Sequence, residues 1–98
     1  MPKFHADEFD EKRLKALLRE RKPLKHLRVR RRGDMLTLES GATADPHAHA
    51  RLRKVSQSLW ILEMPSHTRW QPTPFRETME PLLAILVESF AWTLAPID

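Results

Sequence analysis

Apolar residues fall along this chain in three rhythms. Between residues 6 and 22, Leu14, Leu17 and Leu18 recur at helical spacing, with Phe9 near the start of the stripe. Asp7, Glu8, Asp10 and Glu11 lead this segment and Arg19, Arg21 and Lys22 close it, which is the charge order that a helix dipole favours. Pro23 then disfavours helical backbone at the residue before it. The pattern predicts a helix over 6–22 that rests on another layer by a narrow apolar stripe and keeps a wide basic face in water.

The rhythm changes to strict alternation over 25–40, in Leu27-Arg28-Val29-Arg30-Arg31 and again in Leu36-Thr37-Leu38-Glu39. Gly33-Asp34 between them is a two-residue turn with glycine first, as a type II′ hairpin requires. A hairpin closed there pairs Val29 with Leu38 and Arg31 with Leu36 on one face. Arg28 then pairs with Glu39, Arg30 with Thr37 and Arg32 with Met35 on the other, which is the wet side.

The sequence Gly-Ala-Thr-Ala-Asp-Pro-His-Ala-His-Ala over 41–50 predicts a loop. In 51–64, Leu52, Val55, Leu59 and Leu62 fit a helical stripe, yet the run Val-Ser-Gln-Ser-Leu-Trp-Ile-Leu is rich in strand-forming residues and stops at Pro65. A strand over about 53–64 is the favoured reading. A proline-rich connection follows over 66–74, and Thr73-Pro74 offers an N-cap and first helical residue for a helix reaching Phe90. The expected order is α-β-β-β-α: one small α+β domain over 1–98, with two layers, a three-stranded antiparallel sheet and two helices packed on it. Double-stranded-RNA-binding domains and some small toxin ribonucleases share that order, an analogy of topology alone.

Composition narrows the field. With 98 residues, 41% hydrophobic and 31% charged, the chain supports one modest core. It has no cysteine, which removes disulfides and thiolate metal sites. The N-terminus lacks an apolar leader, and the most apolar stretch, 81–97, contains Glu88 and is too short to span a bilayer. A cytoplasmic location with no membrane association is the expectation. The charge is sorted along the chain: eleven of the 17 Lys and Arg residues lie between Lys12 and Arg32, where Glu20 is the only acid. Clustered cations make an electrostatic footprint that phosphate backbones fit. The expected function is therefore a small, non-enzymatic nucleic-acid-binding module that reads backbone and shape in RNA or DNA. Arg28, Arg30 and Arg32 lead, with Arg53, Lys54, Lys12, Lys15 and Arg19 flanking them and Trp70, beside Arg69, as a base-stacking candidate. No cofactor or metal is expected, although His47 and His49 are spaced to share one side of an extended loop.

A rival signal lies in the last helix. Met79, Leu82, Leu83, Leu86, Val87 and Phe90 form a wide stripe that Ile85 extends, broader than a thin sheet needs. On that reading Met79, Leu82, Ile85, Leu86 and Phe90 form an interface for a homo-oligomer or another protein. The chain is then an accessory subunit, a toxin–antitoxin-like component being one form of it. A third reading, a small ribonuclease-like enzyme, rests on His67 and Arg69. No glycine-rich phosphate loop, nucleophile elbow or carboxylate metal motif is present.

Overall fold

The computed structural model describes residues 4–66 and 68–90. It begins with α1, Glu8–Arg19, which a capping box starts: the Asp10 backbone N–H donates to the Asp7 side chain at 2.8 Å and the Asp7 N–H donates to the Asp10 side chain at 3.1 Å. The helix is shorter than the predicted 6–22. Glu20 caps it, and a short 3-10 turn over Lys22–Leu24 takes up Pro23. Leu14 and Leu18 are buried as expected. Phe9 is not part of that stripe: it is 81% exposed, and Ala6 joins the core in its place.

Five antiparallel strands follow: β1 Arg28–Arg32, β2 Met35–Ser40, β3 His47–Lys54, β4 Trp60–Ser66 and β5 Arg69–Glu77, before α2, Met79–Ser89. They form a simple meander in the order β1-β2-β3-β4-β5. The domain is therefore α+β with two helices and an antiparallel sheet, but the sheet has five strands rather than three, and the likeness to the α-β-β-β-α order lapses. Two segments account for the difference. The expected loop over 41–50 and strand over 53–64 divide instead into β3, a turn at 55–59 and β4. The proline-rich connection is itself β5. Prolines are tolerated on an edge strand, where a missing N–H faces no partner, and Pro72 and Pro74 both lie on this one. Thr73 is thus a strand residue whose hydroxyl donates to the Leu62 carbonyl at 2.8 Å, and the N-cap of α2 is Thr78.

The first hairpin has the register that its alternation dictates. Val29 faces Leu38, Arg31 faces Leu36, Arg28 faces Glu39, Arg30 faces Thr37 and Arg32 faces Met35. Gly33 takes the positive φ of 60° that the turn demands. One side of the sheet is apolar and holds both helices. Leu36, Leu38, Leu52 and Leu62 on the strands join Leu14 and Leu18 of α1 and Met79, Leu82, Leu83 and Leu86 of α2 in one buried cluster. Each such side chain contributes about 1.5–3 kcal/mol by leaving water. Trp60, 2% exposed, lies in the same core.

This corrects the expectation for α2. Met79, Leu82 and Leu86, read as interface residues, face inward, because a five-stranded sheet is broad enough to cover them. Ile85, Val87 and Phe90 remain half-buried at the margin of the core. Among the described residues, no helix is long and apolar enough to cross a membrane.

Candidate functional site

Strand parity sends every second side chain away from the helices. The residues paired across that second face are Arg28 with Glu39, Arg30 with Thr37, Arg32 with Met35, Thr37 with Arg51, Met35 with Arg53, Arg51 with Glu63, and Ile61 with Arg76. Six arginines thus share one sheet surface with two carboxylates. Arg28, Arg30, Arg32 and Arg76 are exposed, while Arg51 and Arg53 are half-buried.

The two acids are sunk into this surface, Glu39 at 8% and Glu63 at 5% exposure. A carboxylate that loses water needs charged partners, and the arginines supply them. Arg30 Nε lies 3.4 Å from Glu39 Oε2. Glu63 is held from both sides, by Arg51 Nε at one oxygen and by Arg53 Nε, 3.2 Å away, at the other. Arg28, Arg32 and Arg76 form no ion pair among the described residues. The face keeps a strong positive excess, with its buried acids fixing the central guanidinium groups in place.

Trp70 belongs to the same surface. It lies on β5 opposite Pro65, and the Arg51 guanidinium sits over its ring, 4.5 Å from the centroid. Expected in a proline-rich connection, Trp70 is instead a strand residue under a cation. Its ring also lines a cleft of about 460 Å³ with Ser66, Thr68, Arg69, Gln71 and Pro72.

The predicted cationic set divides between two surfaces. Arg28, Arg30, Arg32, Arg53 and Trp70 come together on the open face. Lys54 does not: neighbouring strand residues point to opposite faces, and Lys54 turns inward to Asp10 of α1 at 2.7 Å. Lys12, Lys15 and Arg19 lie on α1, in the helical layer, where Lys12 pairs with Glu8 at 3.3 Å and Lys15 with Glu11 at 2.9 Å. Lys15 and Arg19 instead line a groove between α1 and the edge of β1, together with Lys25 and Arg28. Glu39 lies on the open face where the hairpin register put it, whereas Arg76 and Glu63 were missed as members of that face because they needed β4 and β5.

Glu11 accepts from Lys15 and from Arg31, whose Nε lies 3.0 Å away, and these bonds hold its carboxyl below the ordinary glutamate range. Asp7 is lowered by the Asp10 backbone N–H of the capping box. Three histidines gather at the far end of the sheet. The His49 ring meets His47 edge-on at 4.7 Å and His26 at 5.8 Å, and its Nε2 is 2.6 Å from the Ser40 hydroxyl. Ser40 and His49 are 5% and 1% exposed, closed off from solvent. Among the described residues no group of three His, Cys, Asp or Glu side chains could hold a metal ion. His67, the residue behind the ribonuclease reading, lies outside the described residues. No protein-family model, curated protein or solved structure matches the chain.

Proposed function

We propose that the chain is a non-enzymatic nucleic-acid-binding module whose contact surface is the open face of the sheet. The observation that carries this reading is the gathering of Arg28, Arg30, Arg32, Arg51, Arg53 and Arg76 on the face opposite both helices, against only Glu39 and Glu63. Arginine forks suit phosphate oxygens, which they can contact in bidentate geometry. Because the guanidinium groups extend from β1, β3 and β5, alternate strands of the sheet separated by about twice the 4.8 Å strand spacing, they form a two-dimensional array that suits a backbone laid across the strands. Such an array reads charge and shape, and sequence only weakly.

The rival assignment, an accessory subunit that docks through α2, has lost most of its apolar surface to the core; Ile85, Val87 and Phe90 at the margin are what remains for it. Polarisation titrations with duplex RNA, duplex DNA and single strands test the proposal. Binding to at least one of them at ~50 mM salt, weakening by orders of magnitude towards ~200 mM, is the expected outcome for a surface that neutralises several phosphates. Absence of binding to all of them at the lower salt overturns it.

A further inference from the structure

We infer that the cleft beside Trp70 is a pocket for an unpaired nucleobase, so that the module takes single strands in preference to duplexes. The inference rests on the proposed nucleic-acid reading and adds the form of the ligand. Three observations support it. The Trp70 ring lies on the arginine face itself, and the Arg51 guanidinium sits 4.5 Å from its centroid. Arg51 is in turn fixed by the buried Glu63, so the ring is positioned before any ligand arrives.

The ring also lines a cleft of about 460 Å³, within the size range of small-ligand sites. Its other walls combine the apolar Pro72 ring with polar side chains: the Ser66 and Thr68 hydroxyls and the Gln71 amide can donate and accept, and Arg69 donates. A base edge offers donors and acceptors together, so a wall of mixed character suits it better than a purely cationic one. Finally, the pocket adjoins the phosphate-binding cations. Arg51 touches the ring, and Arg53 shares Glu63 with Arg51. A base seated on Trp70 therefore leaves its own phosphate over the array. Bases inside a duplex are stacked and out of reach, so Trp70 adds nothing to duplex binding.

The test compares Trp70→Ala, Trp70→Phe and an Arg28/Arg30/Arg32→Gln variant with the unmodified chain, using a single-stranded RNA, a single-stranded DNA and a duplex of equal charge. Loss of one base-stacking contact weakens single-strand binding on the order of 10- to 100-fold. Trp70→Ala is expected to show that loss with duplex affinity within about twofold, and Trp70→Phe to recover most of it. The arginine variant weakens all the ligands. A nucleoside monophosphate should also shift the indole N–H resonance of Trp70. If oligonucleotides bind but Trp70→Ala and Trp70→Phe leave single-strand and duplex affinities unchanged or lower them equally, the pocket is refuted while the arginine face stands. If no oligonucleotide binds yet the monophosphate shifts the Trp70 resonance, the pocket stands and the wider proposal fails. If neither binds, both fail.

Discussion

Lys54 Nζ donates to Asp10 Oδ2 at 2.7 Å across the interior face of the sheet, joining β3 to the first helix. The side chains are only 9% and 18% exposed, so this is a nearly buried pair, with the Trp60 ring 5.6 Å from the ammonium. Removing one partner strands the other. Lys54→Met, which keeps the aliphatic stem, is expected to cost about 2 kcal/mol, as for a hydrogen bond to a charged group. In a domain of this size that lowers the melting temperature by roughly 10 °C. Nucleic-acid affinity should stay within about twofold. A large loss of affinity with little loss of stability would place Lys54 in the contact surface.

Glu63 offers the opposite separation. It lies between Arg51 and Arg53, so Glu63→Gln removes the charge that neutralises the centre of the array. The variant is expected to lose about 1–3 kcal/mol of stability, because the half-buried guanidinium groups lose their carboxylate. Its affinity for oligonucleotides should rise and its salt dependence steepen. Denaturant melts and polarisation titrations on one preparation read both effects. Weaker binding by a variant that remains folded would contradict the assignment of this surface.

The inward stripe of α2 predicts its own behaviour. Leu86 is fully buried, so Leu86→Ala should cost about 2–5 kcal/mol as a cavity in the core. The melting temperature of the unmodified chain should not depend on its concentration. A melting temperature that climbs with concentration would indicate coupled association and return α2 to the role of an interface.

Acid should weaken the contact between α1 and β1. Glu11 is bonded to Lys15 and Arg31, and its carboxyl is lowered in the folded state. A group with a depressed folded pKa binds fewer protons when folded, so its stabilisation is present above the unfolded value, ~4.3 for glutamate, and is lost as pH falls through the lower folded value. Stability measured from pH 6 down to pH 2 should decline on that side. Glu11→Gln should flatten the decline. An unchanged slope in Glu11→Gln would remove Glu11 from the account.

Local rules made the first hairpin legible. Glycine at the turn and alternation on both sides fix the register residue by residue, and with it the clustering of Arg28, Arg30 and Arg32. Strand β3 was hidden because His47-Ala-His-Ala carries little strand propensity and the ladder is irregular between Leu38 and Glu39. Strand β5 was hidden by Pro72 and Pro74, and Thr73-Pro74 imitates a helix start; only its place at the sheet edge makes those prolines acceptable. Two consequences followed. A sheet counted too narrow made the α2 stripe look surplus. Arg76 and the Trp70 cleft, which depend on β5 pairing with β4, had no local signature. The inward turn of Lys54 was within reach, since Arg53 and Lys54 are neighbours on one strand and must face opposite ways. Charge clustering along the chain obscured that parity.

Mapping amide shifts on a ¹⁵N-labelled sample during titration with a short single-stranded oligonucleotide tests the central claim most directly. The expected result is a contiguous set of perturbed residues on the open face, running from Arg28, Arg30 and Arg32 through Arg51 and Arg53 to Trp70 and Arg76, with α1 and α2 quiet. Perturbations confined to Lys15, Arg19 and Lys25 in the groove beside α1, or to Ile85 and Val87 on α2, would contradict it.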